Sequence, residues 1–144
     1  MRRVSGPEEM EREAARFAAQ LAPHTGGATV VSLEGDLGAG KTTFVRGVAR
    51  AFGIEESVTS PTFVIEKVYP LESRAFARLI HIDAYRLESS HDMEVLGWKE
   101  MLEEPSNLIL VEWPERIAHV IPPAAHTVRF AFVDDSVREI SYGN

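Results

Sequence analysis

The segment Gly35-Asp36-Leu37-Gly38-Ala39-Gly40-Lys41-Thr42 constrains this chain more than any other stretch, because it meets G-x-x-x-x-G-K-[ST] at every defining position. Its flanks agree with it. Ala28 to Glu34 is a β-branched, apolar run bounded by glycines, which predicts a buried strand. From Lys41 to Phe52 the apolar residues Phe44, Val45, Val48 and Phe52 share one helical face, and Gly53 is placed to stop the helix. A strand that enters a glycine-rich turn and leaves as a helix gathers curled backbone amides and a helix N-terminus at one point, which is a nest for polyphosphate.

In that nest Gly35, Asp36, Leu37, Gly38, Ala39 and Gly40 line the anion. Lys41 neutralises the outer phosphates from the solvent side, and the Thr42 hydroxyl serves Mg²⁺. Magnesium takes few protein ligands and draws a carboxylate from a neighbouring strand end. Two acids qualify, Asp83 after Leu79-Ile80-His81-Ile82 and Glu112 after Leu108-Ile109-Leu110-Val111, and the residues alone do not rank them. Ser60-Pro61-Thr62 has two readings: the Thr62 hydroxyl senses a terminal phosphate, or the proline shapes a turn into a strand. His81 alternates with apolar neighbours and reads as a packed strand residue without chemistry. Trp113 reads as a core or interface aromatic that could also stack near a nucleotide. Arg86 and Arg138 default to solvated charges, and the acids Glu100, Glu103 and Glu104 to a wet helix face.

Elsewhere, Ser5-Gly6-Pro7-Glu8 predicts a capping box, followed by a helix with Met10, Ala14, Phe17 and Leu21 on its buried side; Pro23 and Gly26-Gly27 end it. Thr62 to Tyr69 and Ala75 to Asp83 predict a hairpin about the turn-like Pro70-Leu71-Glu72-Ser73. His91 to Glu103 is helical in pattern, with Met93, Leu96, Met101 and Leu102 as buried candidates and a break at Gly97. Asn107 to Glu112 predicts a strand, Pro114 to Ile117 a short helix closed by Pro122-Pro123, and Val128 to Val133 with Val137 to Tyr142 a second hairpin around Asp134-Asp135-Ser136.

Composition narrows the partners. The 144 residues read as a single nucleotide-binding domain. A net charge of −7 disfavours a surface that grips nucleic acid unaided. The lack of cysteine excludes disulfides, zinc thiolates and thiol nucleophiles, so any metal is held by oxygen. Met1-Arg2-Arg3 leads into an acidic amphipathic stretch rather than a signal peptide, and no run reaches membrane-spanning length, which predicts a cytoplasmic protein without a membrane partner.

Three functions share such a cradle: an NTPase that switches a partner, a small-molecule kinase, and a nucleotide-gated binding module with little turnover. Asn-Lys-x-Asp is absent, so adenine is the expected base. The kinase would also need an acceptor site and a lid, for which little chain remains. Taken together, Gly35 to Thr43, Ser60-Pro61-Thr62-Phe63, His81-Ile82-Asp83-Ala84-Tyr85-Arg86-Leu87 and Val111-Glu112-Trp113-Pro114 resemble the TsaE family, also called YjeE, from about Ala28 to Pro114.

The resemblance implies a three-layer α/β, P-loop NTPase-like fold with parallel central strands and antiparallel strands at the edges. It implies an ATPase, weak alone, of the machinery that makes threonylcarbamoyladenosine in tRNAs reading codons that begin with A. ATP and Mg²⁺ would be its cofactors and TsaD and TsaB its partners, with tRNA met only through that complex. By the same resemblance, Leu37 to Thr42 cradle the phosphates, Thr42 and Glu112 hold the metal, and Asp83 is the strand-end acid. Thr43 and Trp113 lie close to the nucleotide, Arg138 approaches it, and the segment from Ser5 to Met10 helps enclose adenine.

Overall fold

The computed structural model describes residues 2–36, 39–54, 66–72, 75–87 and 90–143. Its frame is one seven-stranded sheet in the order β1-β7-β6-β2-β5-β4-β3. The strands are β1 (Arg2–Ser5), β2 (Thr29–Glu34), β3 (Glu66–Pro70), β4 (Arg78–Asp83), β5 (Asn107–Glu112), β6 (His126–Phe132) and β7 (Val137–Gly143). β2 pairs in parallel with β5 and β6, and β4 with β5, while β3, β7 and β1 join antiparallel at the two sides. This is the expected P-loop NTPase-like architecture.

Among the described residues four α-helices, α1 (Gly6–Gln20), α2 (Lys41–Ala51), α3 (Ser90–Val95) and α4 (Trp98–Glu103), cover the two faces. Residues Val31, Leu33, Leu79, Leu108 and Leu110 meet α1 and α2 through Met10, Ala14, Phe44, Val45 and Val48. On the other face Val30, Ile80, Ile82, Ile109 and Val111 meet Met93, Trp98 and Ile117. Burial on both faces is why β2 and β5 read as unbroken apolar runs instead of alternating. Fully burying Phe44, Val45 and Val48 on one helical stripe contributes about 1.5–3 kcal/mol each, more than the intrinsic propensity of so short a helix.

Several local expectations shift. The N-terminal helix starts at Gly6, yet the Ser5 side chain makes no cap hydrogen bond. Ser5 instead lies in β1 opposite Val137, and that pairing sets where its side chain can point. The short helix after Pro114 runs to Val120 as 3₁₀ turns, with non-helical dihedrals at Ile117. The hairpin of β3 and β4 forms, and the part of its first strand expected before Glu66 lies outside the described residues. Gly97 separates α3 from α4 as expected.

Candidate functional site

Parallel strands β2, β5 and β4 end side by side, so their C-terminal residues share one rim. Leu33 stands opposite Glu112, and Glu112 opposite Asp83. The glycine-rich loop leaves β2 at this rim and turns into α2, the place where open α/β sheets take ligands. Of the loop, Gly35, Asp36, Ala39 and Gly40 are described, and Leu37 and Gly38 lie outside the described residues. The amide of Ala39 donates to the Asp36 carbonyl at 3.1 Å, and that of Phe44 to Gly40 at 2.9 Å, which opens the helix. Gly40 carries φ 100°, and a Cβ there would stand 2.6 Å from Met10 Cε. A side chain would thus meet backbone strain and collision together.

Lys41 corrects the solvent-facing expectation: only 5% of it is exposed. Its Nζ donates to the Gly35 carbonyl at 2.5 Å and lies 3.7 Å from the centroid of the Trp113 ring. Burial holds its pKa below the ordinary lysine value, opposed by the charges of Glu112, Glu115, Asp83 and Asp36. One ammonium among these acids is an arrangement suited to a polyphosphate that arrives with a divalent cation. Thr42 and Thr43 follow at the start of α2, both half-buried.

The two strand-end acids differ in setting. Glu112 is 3% exposed, and its Oε2 lies 2.6 Å from Nε2 of His81, which is wholly buried. Asp83 is half-buried and caps the 3₁₀ turn Ala84–Arg86, its Oδ1 accepting from the Tyr85 amide at 3.0 Å. Among the described residues no three His, Asp or Glu side chains cluster as a self-sufficient metal site. An oxygen set of Thr42, Glu112 and Asp83 still fits magnesium, which leaves most positions to phosphate and water.

Trp113 follows Glu112 with left-handed dihedrals, φ 59° and ψ 51°. The half-exposed Tyr85 lies against its ring at 5.0 Å, and the Arg116 guanidinium covers Tyr85 at 5.3 Å. Arg138 is half-buried rather than freely solvated. Its guanidinium lies over Phe132 at 4.5 Å and donates to the Asp134 carbonyl at 2.6 Å. Its Cγ borders the same space above Gly40 as Met10. The structure therefore gathers Lys41, Asp83, Glu112 and Trp113 on one side of the loop, and Met10 and Arg138 on another. Thr62 and Ser60-Pro61 lie outside the described residues.

Sequence reasoning missed the bond from His81 to Glu112 and the flanking pair of Tyr85 and Arg116. Alternation places His81 and Glu112 on like faces of their strands, but the pairing register that joins them is not readable from either strand alone.

A model of the family described as TsaE, threonylcarbamoyl adenosine biosynthesis protein TsaE, matches residues 7–140. The chain is 39% identical over 113 residues to the tRNA threonylcarbamoyladenosine biosynthesis protein TsaE of Treponema pallidum (strain Nichols), covering 78% of this chain and 80% of that protein. It is 38% identical over 140 residues to the protein of the same name from Bacillus subtilis (strain 168), covering 97% and 82%. The crystal structure of Bacillus subtilis YdiB superposes with a TM-score of 0.74 at 33% identity, over 98% of this chain and 82% of that one.

Proposed function

Because the chain belongs to the TsaE family, we propose that its strand-end rim is a MgATP site built from residues 35–43, Asp83, Glu112 and Trp113. The protein is the ATP-binding component of the t6A37 tRNA modification machinery, with a weak, partner-dependent ATPase activity. The observation that carries the site reading is the convergence of Lys41, Glu112 and Asp83 on one rim beside the glycine-rich loop.

In this reading the loop and the α2 N-terminus bind the phosphates, and Lys41 exchanges the Gly35 carbonyl for a phosphate oxygen. Thr42 and Glu112 hold the metal, with Asp83 beside them as the strand-end acid. Bound magnesium supplies charge neutralisation on the outer phosphates. Trp113 confines the Lys41 ammonium from one side, which limits the positions its charge takes. Thr62 is the proposed sensor of the terminal phosphate. Arg138 and the segment up to Met10 close the site from the β7 side, toward the adenosine.

Family identity implies partnership with TsaD and TsaB, and we propose that this chain meets tRNA only through that pair. The acidic balance of the chain supports such indirect contact. The deciding experiment measures ATP hydrolysis by the full chain alone, then with purified TsaB, TsaD and tRNA. Stimulation that requires the pair supports the reading. Phosphoryl transfer to a small acceptor would mark a kinase instead, and binding without hydrolysis under every condition a passive module.

A further inference from the structure

The reading of Glu112 as a metal-site carboxylate leaves open what aims it. Glu112 is 3% exposed and His81 is wholly buried, so neither can be steered by solvent. Their side chains meet at 2.6 Å, Nε2 to Oε2. His81 pairs with Leu110 across β4 and β5, which sets it diagonally from Glu112 on the same face of the sheet. On its other side the register places Lys67 of β3. The Nδ1 atom of His81 is buried and has no hydrogen-bond partner among the described residues.

That orphan nitrogen is informative. The inward neighbours Leu79, Leu108 and Leu110 are aliphatic, and a further aliphatic side chain would fill the position of His81 without burying an unpaired nitrogen. Packing alone therefore does not account for an imidazole here. Its bond to Glu112 does. With Glu112 ionised, the neutral ring donates Nε2–H to Oε2 and keeps Nδ1 as a bare acceptor. This is the pattern by which a supporting ring fixes a metal-site ligand.

We propose that His81 is a positioning residue for the nucleotide site: by holding Oε2 of Glu112 it fixes the carboxylate, so that the remaining oxygen is presented to the metal side of the rim. His81 touches neither nucleotide nor metal and acts only through Glu112. The inference rests on the MgATP reading of the rim.

The test uses the full chain with TsaB, TsaD and tRNA, and reads ATP hydrolysis while Mg²⁺ is titrated, together with nucleotide affinity and thermal midpoint. His81→Leu is expected to lower kcat by about tenfold or more and to raise the Mg²⁺ requirement, while KM for ATP moves by less than about threefold. His81→Gln, whose amide N–H reaches the same oxygen as Nε2, is expected to recover most of kcat. In a Glu112→Gln background, His81→Leu should add less than about a further twofold, because the coupling is already gone.

Unchanged kcat and Mg²⁺ dependence in His81→Leu overturns the proposal. So does a Gln variant as impaired as Leu, or losses that multiply in the double variant. If the Leu variant does not fold, His81→Gln against His81→Asn decides, since the Asn amide lies at the Nδ1 position: equal kcat overturns the proposal, and an active Gln beside an impaired Asn supports it. A wild-type chain that neither binds nor hydrolyses MgATP fails the site reading and this inference together. An active wild type with an indifferent His81 fails this inference alone.

Discussion

The Lys41 ammonium rests 3.7 Å above the ring centroid of Trp113, the residue that directly follows the strand-end Glu112 and the one non-glycine among the described residues with positive φ. A non-glycine side chain in the left-handed region costs roughly 1–2 kcal/mol, and here that strain coincides with a ring placed on the phosphate-loop lysine. The relationship gives an optical handle. Of the two tryptophans, Trp98 is buried and donates Nε1–H to the Val120 carbonyl at 3.0 Å. In a Trp98→Phe chain, MgATP is expected to change Trp113 emission along the same isotherm that calorimetry gives. A silent Trp113 at saturating nucleotide would contradict the site.

Lys41→Ala is expected to reduce hydrolysis by at least about a hundredfold, the scale on which one preorganised charge donor acts in a closed site. Calorimetric affinity for ATP should fall with it. The pH dependence follows from the lowered lysine pKa. Only the ammonium grips phosphate, so affinity is lost as pH rises through that lowered value, earlier than for an ordinary lysine. Burial also makes the charged form unfavourable to the fold, so this group's destabilising contribution is relieved over the same rise. Lys41→Arg should remove the alkaline loss from that window, as nucleotide titrations across the range would reveal.

Glu112→Gln and Asp83→Asn separate the two acids. The buried, His81-bonded Glu112 is the more tightly held. Its change should cost about ten- to a hundredfold in Mg²⁺-dependent turnover, with metal-free ADP affinity little altered. Asp83→Asn keeps an acceptor for the Tyr85 amide and should cost less. Equal or reversed losses in an Mg²⁺ titration would assign the closer metal role to Asp83.

Gly47→Ala tests the seam between α1 and α2. A Cβ at Gly47 would stand 2.6 Å from Ala14 Cβ and 2.9 Å from both Cα and the carbonyl oxygen of Glu11. Helix propensity favours alanine by about 1 kcal/mol, but two backbones must move apart to admit it, which costs about 1–3 kcal/mol. Net destabilisation is expected in urea unfolding, and a more stable variant would show that the seam yields.

Glu66→Gln should raise stability modestly near neutral pH, by less than about 1 kcal/mol. Burial raises the Glu66 pKa, and its Oε2 is buried with no hydrogen-bond partner among the described residues. Because the folded-state value lies above the unfolded one, the ionised acid destabilises the fold above that raised value. The advantage of the Gln variant should fade as pH falls from that raised value to the unfolded one, and be gone below it. Thermal midpoints across acid pH measure it, and a gain that persists in acid would assign it to packing.

Much of the frame was legible because the chain is locally consistent. Thr29–Glu34 and Asn107–Glu112 are apolar runs of strand length, and Phe44, Val45 and Val48 repeat at helical spacing. The motif and its flanks pointed to residues 35–42 before any distance was known. Less legible were β1, too short to carry a pattern, and the environment of Lys41. Its ammonium is met by the ring of Trp113, far away along the chain.

By itself the sequence determined the strand and the helix on either side of the glycine-rich motif, because those depend on short-range periodicity that each segment carries within itself. It also named both strand-end acids. Only the tertiary structure decided that Asp83 and Glu112 stand opposite each other, that His81 bonds Glu112 and that Trp113 covers Lys41. Those relationships come from strand order and register, which arise when separate segments bury their apolar faces against one another, and no single segment encodes them alone.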